Sequence, residues 1–257
     1  MDRRAFVASL PILTIAARGA EPLQVPAGAF HYDYPFVDYY DPNRPAPVTG
    51  SQLAAPFGNA RAPQADIDAA TKLTNAAPTT SALAILVYFA ALSETGTMGE
   101  AFNARWQYYG NPVIVRFFHD IGYKDDKYPD GDCTPWCAAA LSWAFKRCGL
   151  PIPPNPVSSQ SYVGFGQTVT VPLAGDVVVF TSIQSPGHGH VGLYLGGDAN
   201  TIDVLGGNQA DLKFGPTDCG PSYPRSKIFS RTFNRNIERD LRTSSLYLNA
   251  IVRVSRV

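Results

Sequence analysis

The strongest constraint on the fold of this chain is a change of apolar period part-way along it. Between residues 65 and 150 the apolar residues recur at helical spacing, as in 65–77 (Ile67, Ala70, Leu73) and in the richer run 81–92. Pro78 separates these two helices, and Gly96 and Gly99 end the second. A third helix is expected over 111–119, with Pro112 suited to a first helical position. After residue 170 the pattern becomes short β-rich runs between glycines: 176–180, 191–195, 201–205 and 246–254. Helices first and strands later predict an α+β domain.

Composition narrows the function classes. Lys+Arg and Asp+Glu both number 21, so the net charge is zero, which removes the electrostatic case for nucleic-acid binding. No apolar run reaches the ~20 residues a membrane span needs. The longest one, Ala5 to Ala17, follows Arg3-Arg4, and Ala17 and Gly19 would occupy the −3 and −1 positions of a cut before Ala20. That is the pattern of a bacterial twin-arginine export signal, expected over 1–20. Prolines recur from Pro22 to Pro63, too densely for a helix or an inner strand. Residues 21–64 are therefore expected to form an extended arm, and 65–257 the folded domain. An exported location, periplasmic or extracellular, and a monomer follow as expectations.

Chemistry concentrates in two segments. The first is Asp132-Cys133-Thr134-Pro135-Trp136-Cys137-Ala138-Ala139. Thr134 is a good N-cap, Pro135 suits the first helical position, and Gly149 followed by Pro151 ends the helix. This register puts Cys137 in the first turn, where orphan N–H groups and the helix dipole stabilise a thiolate. The second is Gly187-His188-Gly189-His190-Val191-Gly192-Leu193-Tyr194, opening a strand. A cysteine nucleophile needs a base for its proton and an acid for the leaving amine, and imidazole serves both near neutral pH. His190 heads the strand and is the expected base; His188, in the glycine loop, is an expected substrate contact.

A third group must orient the imidazole. Asn208, in Leu205-Gly206-Gly207-Asn208-Gln209, is the first choice, Asp203 its competitor and Gln209 a further option. A zinc site from Cys133, Cys137, His188 and His190 is set aside, because the Cys spacing is not that of structural zinc. No metal and no cofactor are expected. Cys219 lies in a loop and is within possible reach of Cys133 or Cys148 as a disulfide partner, whereas Cys148 is about 16 Å along the helix from Cys137.

Pro135-Trp136-Cys137-Ala138-Ala139, Gly175-Asp176-Val177-Val178-Val179-Phe180, Gly189-His190-Val191-Gly192 and Leu205-Gly206-Gly207-Asn208-Gln209 occur in that order. Together they resemble the NlpC/P60–CHAP superfamily of papain-like cysteine peptidases and amidases, over roughly residues 65–215. The resemblance implies a papain-like domain whose N-terminal helices pack on an antiparallel sheet. It implies hydrolysis of a peptidoglycan stem or crossbridge amide, with Cys137 as nucleophile, His190 as base and Asn208 as orienter. Trp136, His188 and Asp132 are expected to contact substrate. Ala140 stands where many relatives carry Phe, and Cys133 adds a second thiol. Two other classes share the fold: an inactive wall-binding module, and a lipid-directed cysteine acyltransferase or deacylase.

Overall fold

The computed structural model describes residues 62–106, 110–122, 135–209, 226–236 and 246–255 in full. It also describes the backbone of 14–15, 23–24, 210, 216–217, 220–224 and 237–238. The export signal and the proline-rich arm therefore lie almost wholly outside the described residues. So do Asp132, Cys133, Thr134 and Cys219. Within them, β1 (Thr14–Ile15) pairs antiparallel with β2 (Leu23–Gln24).

The helices form where the period predicts them. α1 is Gln64–Ala76, α2 is Ala82–Ala90 and α3 is Pro112–Asp120. Ser81 caps α2 by accepting the Ala84 N–H at 3.0 Å, and Asn111 caps α3 by accepting the Val113 N–H at 2.8 Å. α4 is Cys137–Arg147, and Gly149 ends it at φ 74°. Gly149 N–H donates to Lys146 O and Leu150 N–H to Phe145 O, the paired bonds of a glycine-terminated helix. Phe89, Phe117 and Trp143 meet pairwise at ring separations of 5.2 to 5.5 Å, which locks α2, α3 and α4 together.

The strands follow in order: β3 (Gln167–Thr168), β4 (Val177–Ser182), β5 (Gly189–Gly197), β6 (Thr201–Ala210), β7 (Pro216–Thr217), β8 (Gly220–Pro224), β9 (Ser226–Asn234), β10 (Ile237–Glu238) and β11 (Leu246–Arg253). The main sheet runs β10-β11-β4-β5-β6-β9, with β3 also on β11, and every pairing is antiparallel. Alternation divides its side chains between two layers. Val177, Val179, Val191, Leu193 and Leu205 pack under the helices. Val178, Phe180, Ile202, Val204 and Phe233 form a smaller cluster on the other face.

The sequence reading missed β9. Its segment Ser226-Lys227-Ile228-Phe229-Ser230-Arg231-Thr232-Phe233-Asn234 breaks the apolar pattern with Ser230 and Arg231, yet both are buried, at 5% and 2% exposure. Gly175-Asp176 turns out to be a structural device. Asp176 takes both guanidinium bonds of Arg253 at 2.8 and 2.9 Å and the Leu173 N–H at 2.7 Å, which pins β11 to the start of β4.

Candidate active site

Cys137 is the first residue of α4, two positions nearer the helix end than expected. Trp136 occupies the N-cap at φ −119° and ψ 11° with no side-chain cap, so Pro135 lies ahead of the helix rather than inside it. The reason is the seat of the Trp136 indole. Its N–H donates to Ser226 Oγ at 3.2 Å, and its ring lies over Gly207. With no exposed surface, Trp136 holds the helix start in place, and it has no face to offer a substrate. The change of register brings Cys137 closer to the positive end of the dipole. Tyr162 is its neighbour on the helix side. Burial raises the Tyr162 phenol pKa, the 2.7 Å hydrogen bond with Ser142 opposes the rise, and charge on Cys137 adds to it.

His190 heads β5 opposite Phe180 on β4. Val191 and Leu193 point under α4, while the imidazole stacks on Phe233, 5.8 Å away, on the other face. The start of α4 and the imidazole are therefore carried to one end of the sheet, and consecutive glycines of β6 mark that end. A Cβ on Gly206 would stand 3.3 Å from His190 Nε2; one on Gly207 would stand 2.6 Å from Trp136 Cζ3 and 2.9 Å from Ala140 Cβ. Glycine is thus a steric requirement at 207, where only bare backbone fits against the helix start, and a close fit at 206. Gly207→Ala is expected to lose about 1–3 kcal/mol in urea unfolding by overpacking. Gly187→Ala, with nothing within 4 Å, is expected to be neutral. Equal stability of the two variants would refute the steric account.

His190 is held as a neutral ring. Its pKa is pushed down to about 3, chiefly by burial and then by the Arg231 guanidinium. Both causes oppose a standing thiolate–imidazolium pair, whereas the helix dipole favours its thiolate.

Asn208 sits in a bulge of β6. Gly206 pairs with Phe229 and Gln209 with Lys227, so two β6 residues face Ile228 alone, and Asn208 takes φ 56°. Asn tolerates that left-handed conformation better than most residues. The β5–β6 pairing reaches Leu193↔Leu205, three residues after His190 and three before Asn208. The other two orienter options fall away. Asp203 pairs with Gly196, about 20 Å along β5 from His190, and accepts from Thr232 Oγ1 at 2.5 Å. Gln209 Nε2 donates to the carbonyls of Val204 and Phe229 at 3.0 and 2.8 Å, and so staples the bulge.

His188 is half-buried in the β4–β5 turn, where its carbonyl accepts the Ser182 N–H at 2.9 Å. Cys148, also buried, donates its thiol to Phe145 O at 3.4 Å. Among the described residues no group of three or more His, Cys, Asp or Glu side chains gathers as a metal site. No helix among them is long and apolar enough to cross a membrane. Sequence reasoning missed Arg231 beside His190, and Arg105, whose Nη2 donates to Asn208 Oδ1 at 3.3 Å. A lone Arg in a loop or strand carries no signal of burial.

Residues 129–213 match the NlpC/P60 family model. That segment spans α4 through β6 and contains Cys137, His190 and Asn208. Helices ahead of an antiparallel sheet make this an α+β fold, consistent with the papain-like NlpC/P60 type. The match points to cell-wall peptidase or amidase activity of the cysteine-hydrolase kind, with a peptidoglycan peptide as substrate. α1 to α3 lie outside the matched residues. No curated protein matches the chain, and no solved structure does.

Proposed function

We propose that this chain hydrolyses an amide bond of the peptidoglycan stem or crossbridge peptide through an acyl-enzyme on Cys137. The observation that carries the reading is the end of the sheet at Gly206-Gly207, beside which lie the first turn of α4 and the His190 ring. Neutral His190 takes the thiol proton as sulfur attacks the carbonyl carbon, and the resulting imidazolium gives that proton to the leaving amine. Water, deprotonated by the same ring, then releases the acyl group. Because the ring starts neutral, proton transfer accompanies attack instead of preceding it.

Peptidoglycan lies outside the inner membrane, so the reading includes 1–20 as an export signal and 21–64 as a tether. The test is mass spectrometry of muropeptides after digestion of purified peptidoglycan, which also names the bond cut. New termini at one peptide bond support the reading; an unchanged muropeptide profile, or release of acyl groups from lipid esters alone, overturns it. Asn208 acts only through the ring, so Asn208→Ala is expected to lower kcat about tenfold and leave measurable turnover. Complete loss in that variant would give Asn208 a larger part than orientation.

A further inference from the structure

Asn208 reaches its position from two directions. Its backbone is fixed by the bulge that Gln209 staples, and its side chain by Arg105, a residue 103 positions upstream. Arg105 has no exposed surface, and Asn208 is 3% exposed. A guanidinium carries five donors and no acceptor, so an amide facing it can only turn its oxygen towards it. An asparagine amide otherwise has two nearly isosteric orientations. Arg105 removes that choice.

The position of Arg105 is itself built. Asn111, the α3 cap, donates from Nδ2 to the carbonyls of Phe102 and Ala104 at 2.8 and 2.6 Å. The Arg105 N–H donates to Ser226 O at 2.7 Å, on the residue whose Oγ accepts the Trp136 indole N–H. The start of β9 thus anchors both the residue before Cys137 and the residue that holds Asn208. Arg105 comes from outside the segment that matches the family.

We propose that Arg105 is a positioning residue of this site: it holds the Asn208 carboxamide by its oxygen and so fixes which of its two orientations the amide adopts. The proposal rests on the thiol-hydrolase reading of Cys137, His190 and Asn208. It gives the loop between α2 and α3 a part in the chemistry, because that loop sets the orientation of the Asn208 amide. It also changes what a carboxylate at 208 would do. In Asn208→Asp the new charge pairs with Arg105, and so the imidazole gains little from it.

The full chain is tested with Arg105→Gln, Asn208→Ala and the double variant on purified peptidoglycan. Arg105→Gln is expected to lower kcat about tenfold with KM within about threefold, and Asn208→Ala added to it to cost less than about threefold more, since members of one unit are not additive. Losses that multiply, or a KM change with kcat intact, overturn the proposal. The same cycle is read in urea unfolding, where coupling of about fivefold or more between the two substitutions is expected in the folding constant. Coupling in stability with a wild-type chain that cuts no peptidoglycan refutes the hydrolase reading and, with it, any catalytic role for Arg105. Additive stability shows that Arg105 does not hold Asn208. Should Arg105→Gln fail to fold, Asn208→Asp alone decides. Its pH–rate profile is expected to stay within about 0.3 pH unit of wild type, whereas a basic limb raised by a full unit would mean that Arg105 does not neutralise the new charge.

Discussion

On the proposed mechanism Cys137→Ala is expected to lower hydrolysis by more than about a thousandfold while the chain keeps its fold. The thiol is the only atom of the proposed site that bonds to substrate, so nothing replaces it. The cost in stability is small by comparison. Cys137 is 5% exposed, and its loss takes one sulfur from a layer already packed by Trp136, Ala140 and Leu141. That change is of order 1 kcal/mol, within what a marginally stable domain tolerates. His190→Ala is expected to abolish turnover as well, because on the same mechanism the thiol then has no base and the amine no acid. It costs more in folding, since the ring fills space against Phe233; His190→Gln is the milder variant for the assay. His188→Ala lowers activity less than about threefold, as its half-buried loop position gives it at most a substrate contact. Muropeptide release by each purified variant checks all of these. If His188→Ala is dead and His190→Gln is active, the base is His188.

The parts of this fold that could be read in advance are those with local causes. Ser81 and Asn111 as caps, Pro112 at the first helical position and Gly149 at the end of α4 each act within a few residues of themselves. The same holds for β4, β5 and β6, which alternate or run apolar between glycines. What escaped has causes far away in sequence. α4 starts at Cys137 because an indole is anchored on Ser226, 90 residues downstream. β9 escaped because its Ser230 and Arg231 are buried by the neighbouring strand and not by any pattern of their own. The site divides in the same way. Cys137, His190 and Asn208 stand out by residue type and by their place at element ends. Arg105 and Arg231 could be found only once β6 and β9 were paired. The neutral state of His190 follows from those buried neighbours, and a sequence that shows only a helix dipole points the other way.

That neutral state predicts an acid-sensitive fold. A histidine whose folded pKa lies near 3, against 6.5 when unfolded, binds its proton in the unfolded chain first. Between those two values the unfolded state carries more protons than the native one, so stability rises with pH from about 3 to about 6.5 and is level above. In the other direction, stability is lost as pH falls below about 6.5, with a slope of at most about 1.4 kcal/mol per pH unit for this one proton. Urea midpoints at pH 7, 6, 5 and 4 read it out. Carboxylates contribute at the low end, so the informative quantity is the difference between wild type and His190→Gln, which lacks the proton site. That difference is expected to open between pH 6 and 5, where few carboxylates titrate. Arg231→Met removes the cation, keeps a side chain over Phe233 and raises the His190 pKa, so the acid slope ends at a higher pH. A parallel course for wild type and His190→Gln from pH 7 to 5 would show that the ring charges freely in the native state. The imidazolium that burial and Arg231 oppose would then be available to Cys137.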